Sequence, residues 1–272
     1  MLFCAGGGLS ASAQDASPWN GEVHAEARLI AGGAVKTAGT EWKRAGIEIR
    51  LDPGWKTYWR YPGDSGVPPT LDFAGSENVE SVTALWPAPE RFDDGAGGHS
   101  IGYHGDVVLP LRITANDASK PTLLHVTMGY AACSNICVPV QAQLDLTLSG
   151  KASTEEPALV AAEARVPRRV TLGANRDFGI ASVHRETDGA HERVVVDVAA
   201  PDGAPLDLFV EGPTPEWALP LPEPVVGQSG AGRRLFAFDL DGLPQGAQTQ
   251  GAMLTFTLVS PADAIEVKAR LD

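Results

Sequence analysis

Apolar residues recur at every second position along much of the chain, which is the period of a half-buried β-strand. Ile47-Glu48-Ile49-Arg50-Leu51 is the first clear case, and Asp52-Pro53-Gly54 ends it as a turn. Trp55 to Tyr61 is aromatic-rich and strand-like, until Pro62-Gly63 and then Pro68-Pro69 break it. Leu71–Phe73, Val79–Trp86, Val107–Ile113, Leu123–Met128 and Gln141–Leu148 read as further strands. Residues 90–100, from Glu90 to Ser100, carry three glycines and predict a loop. The one helical pattern is Glu155–Arg165, with Ser153 or Thr154 as its cap, acidic residues at its positive end and Pro167 as its stop. After it, strand patterns resume at 194–198, 206–210, 235–240 and 254–259.

Many short strands with frequent turn signals predict an all-β protein: an immunoglobulin-like β-sandwich followed by a second, smaller β-sandwich. The expected division is a signal-peptide remnant at 1–13, a first sandwich at 14–150, a helical linker at 151–167 and the second sandwich at 168–272.

Composition narrows the partners. The formal net charge of −13 argues against nucleic acid and anionic membranes, both of which need clustered cations. No apolar run reaches the roughly 18–20 residues that span a bilayer, so no membrane span is expected. Ala11-Ser12-Ala13 is an A-x-A pattern that a signal peptidase could cut before Gln14, which predicts an exported, soluble protein, periplasmic if the resemblance described below holds. Glycine-rich phosphate loops leading from strand to helix, nucleophile elbows and H-E-x-x-H are all missing.

Cysteine usage supplies the candidate chemistry. With Cys4 removed, Cys133 and Cys137 remain as one close pair. A bridge over three intervening residues closes a very small loop and stabilises little by chain entropy. That points to redox chemistry, with a structural clip or a soft-metal site as alternatives. In the metal reading, the thiolates, Met128, His99 or His104 suit a soft ion such as Cu(I). The structural reading gives an interaction module with an inert bridge. Val138-Pro139 stiffens the exit of the cysteine segment, and Tyr130 before it is placed to pack on the pair.

Three stretches resemble the N-terminal periplasmic domain family of the thiol:disulfide interchange protein DsbD. They are Gly54-Trp55-Lys56-Thr57-Tyr58-Trp59-Arg60, then Arg91-Phe92-Asp93-Asp94-Gly95 leading to Ile101-Gly102-Tyr103, then Gly129-Tyr130-Ala131-Ala132-Cys133 through Cys137-Val138-Pro139. The resemblance implies an immunoglobulin-like fold whose two cysteines cycle between dithiol and disulfide, with no cofactor or metal. It implies a membrane electron-donor protein and periplasmic thioredoxin-like acceptors as partners, in processes such as cytochrome c biogenesis. It makes residues 90–98 a cap loop with Phe92 at its tip, flanked by Asp93 and Asp94. Tyr58, Tyr103, Tyr130 and Pro139 become walls of the site. Two departures stand out: the family's cysteine spacing is usually longer, and a second β domain stands where the family has membrane and thioredoxin-like domains. The donor is then expected to be a separate protein.

Overall fold

The computed structural model describes residues 14–37, 39–93, 97–174, 177–188, 191–225 and 232–272. The signal-like segment 1–13 and Asp94 lie outside them. The described residues form strands β1 (Asn20–Glu22), β2 (Ala25–Thr37), β3 (Thr40–Leu51), β4 (Lys56–Gly63), β5 (Thr70–Asp72), β6 (Ser81–Ala84), β7 (Glu90–Asp93), β8 (His99–His104), β9 (Val107–Thr114), β10 (Thr122–Cys133) and β11 (Cys137–Leu148). Helix α1 (Glu156–Ala164) follows. Then come β12 (Arg168–Val170), β13 (Gly179–Asp188), β14 (His191–Ala199), β15 (Asp207–Glu211), β16 (Glu223–Pro224), β17 (Arg233–Asp239), β18 (Met253–Val259) and β19 (Ala264–Arg270). The protein is all-β, an immunoglobulin-like sandwich followed by a second β-sandwich.

In the first sandwich, sheet β1-β2-β3-β9-β6 faces sheet β11-β10-β4-β8-β7, with β5 on β10. Alternation along the strands sends Leu29, Ile47, Leu109, Leu111, Val126, Leu144 and Leu146 into one core. The second sandwich stacks β12-β19-β18-β15 on β13-β14-β17-β16 around Val194, Val196, Phe236, Phe256 and Val267.

Helix α1 is seated on the first sandwich, so it is more than a spacer. Leu159 is fully buried above Gly32 and Gly46, where a Cβ would come within 2.8 and 2.7 Å of its methyl carbons. Arg44 pairs with Glu156 and Glu163, and Gly33 N–H donates to Glu156 Oε2 at 2.7 Å. The expected Ser or Thr cap does not form. Glu155 holds the N-cap position without a side-chain bond; Ser153, two residues before it, accepts from the Glu155 N–H at 3.0 Å while its hydroxyl donates to the Ala31 carbonyl of β2. The other difference lies at 90–100, where β7 and β8 form a hairpin, pairing Phe92 with Ser100 and Asp93 with His99.

Three successive residues of β4 join the two sandwiches. On β4, the Trp59 ring meets Phe209 at 5.9 Å, and the Arg60 guanidinium binds Glu211 and Glu266. Tyr61 donates to the Leu219 carbonyl at 2.7 Å. Burial alone would depress Arg60, but hydrogen bonds and charge from Glu211 and Glu266 outweigh it and hold its pKa above the usual value.

Candidate functional site

The cysteines close a β-hairpin. β10 ends at Cys133, β11 begins at Cys137, and the two face each other with Cα atoms 4.1 Å apart and a disulfide between them. Ser134 N–H donates to the Ile136 carbonyl at 2.9 Å and tightens the turn. The two ends of the bridge differ in access. Cys133 is 1% exposed, whereas Cys137 lies among exposed residues beside Ile136, which is 64% exposed.

Residues paired across adjacent strands share a face. Register therefore puts Cys137, Cys133, Lys56 and His104 in one row across β11, β10, β4 and β8. Tyr58, two positions beyond Lys56, lies on the same face. Its hydroxyl is 3.1 Å from Cys133 Sγ and 3.4 Å from Cys137 Sγ. Disulfide sulfurs carry no proton, so the hydroxyl is the donor to both. Gly102 pairs with Tyr58, and a Cβ there would fall 1.9 Å from the Thr57 carbonyl oxygen. The close approach of β4 and β8 beneath the tyrosine thus requires glycine.

Phe92 reaches this face from β7 and packs on Tyr58, Ala131 and Cys133. Lys56 Nζ lies 4.1 Å from its ring centroid and donates to the Asp93 carbonyl at 3.2 Å. The His104 ring meets Phe92 edge-on at 4.9 Å. The Asp93 carboxylate is exposed and sits 3.3 Å from His99 Nε2.

Pro139 pairs with Ala131 and lies on the cysteine face of β11, an edge strand where its missing N–H breaks no ladder. Tyr103 and Tyr130 are placed differently from expectation. Both occupy the opposite face and are buried in the inter-sheet core, because each is an odd step from a residue on the cysteine face. Tyr103 donates to the Pro87 carbonyl at 2.9 Å, and burial raises its pKa well above the usual value. Burial likewise raises Tyr130. Met128 shares that core, so it cannot join Cys133 as a ligand. Sequence reasoning missed Lys56 and offered His104 only as a ligand in the metal reading. The signal for Lys56 was its step of two from Tyr58.

Residues 26–149 match the family described as thiol:disulfide interchange protein DsbD, N-terminal. Over that span the first sandwich is similar to the DsbD N-terminal family. The match ends after β11, before the helix, and leaves the second sandwich outside it. A structural comparison covers both parts: the N-terminal periplasmic domain of ScsB from Proteus mirabilis superposes with a TM-score of 0.72. It is 23% identical, and the alignment covers 96% of this chain and 99% of that one. At that identity it shows shared architecture, including the second sandwich that the DsbD family match does not reach. No curated protein matches the chain. Among the described residues no helix is long and apolar enough to cross a membrane.

Proposed function

We propose that the protein is a periplasmic thiol–disulfide exchange carrier working through Cys133 and Cys137. The observation that carries this reading is the asymmetric pair, one cysteine buried and one exposed, bridged across a hairpin beneath a tyrosine hydroxyl and a phenylalanine ring. In the reduced form the Cys137 thiolate attacks a disulfide of a thioredoxin-like acceptor. One partner sulfur leaves as a thiolate, and a mixed disulfide forms. Cys133 then attacks Cys137 Sγ, restoring the internal disulfide and releasing the acceptor as a dithiol. Two electrons have passed, and a membrane donor's dithiol returns the pair to the reduced state. The Tyr58 hydroxyl favours thiolate over thiol by donating to it. Phe92, with Asp93 beside it, forms the cap that keeps small thiols away, and Pro139 borders the opening; Asp94, expected to flank the cap, lies outside the described residues. Export by cleavage before Gln14 delivers the chain to an oxidising compartment, and sequencing the mature N-terminus in the native host checks it.

Trapping tests the mechanism. Cys133→Ser should accumulate a mixed disulfide through Cys137, whereas Cys137→Ser should trap little. Both variants should stay folded, because a bridge over so small a loop contributes little stability. Equal trapping by the two variants, or none from either, would overturn the assignment.

A further inference from the structure

The alternation that brings Phe92 to the sulfurs sends its neighbour, Arg91, to the second sandwich. Its Nε lies 3.1 Å and its Nη2 2.8 Å from Asp207 Oδ1. Nη2 also donates to the Pro222 carbonyl at 2.9 Å and, more weakly, to Leu208 O at 3.5 Å. Nη1 binds Glu223. All of these acceptors belong to the second sandwich, on β15, on β16 or just before it. The Arg91 side chain is only 14% exposed and Asp207 28%, so that pair is largely shielded from water and weakly screened by salt, whereas Glu223 holds the outer, exposed end of the fork.

β7 is the edge strand of its sheet and contributes only four residues, Glu90–Asp93. Backbone bonds to β8 alone give a short edge strand a poor hold, because such strands open at low free-energy cost. The second sandwich supplies the missing anchor. A guanidinium holding several acceptors in a fixed fork restrains both position and rotation. Restraining the Arg91 backbone also restrains Phe92, whose side chain leaves the same strand in the opposite direction.

We infer that Arg91 is a positioning residue through which the second sandwich holds the Phe92 cap over the Cys133–Cys137 pair. This rests on the cap reading above. It gives the second sandwich a role in the exchange chemistry without touching either sulfur: it sets how readily the cap leaves.

Alkylation of the dithiothreitol-reduced full-length protein by iodoacetamide, with mass spectrometry reading the rate at Cys133 separately from that at the exposed Cys137, tests it. Phe92→Ala alone measures the cap. Arg91→Ala should speed alkylation about tenfold, the factor that corresponds to about 1.4 kcal/mol of lost restraint. The double variant Arg91→Ala/Phe92→Ala should react no faster than Phe92→Ala, because the arginine acts only through the ring. A merely structural role would add to the Phe92→Ala effect, and that additivity would overturn the inference. An Arg91→Ala rate equal to wild type beside a faster Phe92→Ala would overturn it while leaving the cap intact. An unchanged Phe92→Ala rate would remove the cap reading, and the inference with it. Should Arg91→Ala fail to fold, Asp207→Asn/Glu223→Gln releases the same fork from the other side. Faster alkylation of that variant supports the inference, and a wild-type rate overturns it.

Discussion

Lys56 stands between Cys133 and His104 in the row of paired residues, with its ammonium over Phe92 and on the Asp93 carbonyl. It thus ties the cap to the strand that carries Tyr58. A cation over an aromatic face contributes about 0.5–1 kcal/mol at a partly exposed site. Lys56→Met keeps the apolar stem and removes the charge. It should speed alkylation of the reduced pair about two- to fivefold, which is that energy expressed as a rate. It should leave the melting temperature within a few degrees. An unchanged rate would mean that the cap closes without the lysine. Of the residues around the sulfurs, those on the cysteine face were legible from spacing and resemblance. Tyr103 and Tyr130 were misplaced because nearness in sequence to a motif does not fix a side, whereas strand parity does.

At the scale of elements, the β4–β8 pairing is the most exacting contact near the site. Gly102 admits the Thr57 carbonyl where any β-carbon would collide with backbone, so neither strand can yield by a rotamer change. Gly102→Ala should therefore cost about 1–3 kcal/mol, the range for overpacking. The loss should appear as a lower denaturant midpoint together with faster alkylation of the reduced cysteines. A midpoint equal to wild type would show that the strands part without cost. The long strands of the first sandwich were legible because one face is buried and the other wet. β7 was not, because the glycines that follow it mask a strand of four residues. β13 and β19 went unrecognised for a related reason: their apolar residues are interleaved with arginine, lysine, glutamate or histidine, and in β13 only Ile180 is a buried hydrophobic side chain. The helix was legible in place but not in role, since nothing local announces that Leu159 has a glycine-floored seat.

At the scale of the molecule, the joint between the sandwiches is titratable. Burial pushes Tyr61 up to about 12, with the negative charges of Asp64 and Glu211 adding to the effect. A folded-state pKa above the unfolded value of 10.0 means that the neutral phenol's contribution is complete below pH 10 and is lost as pH rises towards 12. Stability should fall across that window, and Tyr61→Phe should flatten the fall while leaving the profile below pH 9 nearly parallel to wild type. Urea midpoints measured from pH 8 to pH 12 check this. A Tyr61→Phe profile that tracks wild type through the window would show that the joint does not carry the titration.

Four successive side chains of β4 answer to four different neighbours: Tyr58 to the sulfurs, Trp59 to the core and Phe209, Arg60 to Glu211 and Glu266, Tyr61 to Leu219. Such a segment behaves like a reading frame. Removing one residue upstream would not shorten the strand so much as reassign every position, sending an indole to the disulfide and a phenol into the core. The same property governs transplantation. The second sandwich is no portable cassette, because a graft that carried residues 168–272 alone would arrive without the arginines at 60 and 91 that its carboxylates are shaped to hold.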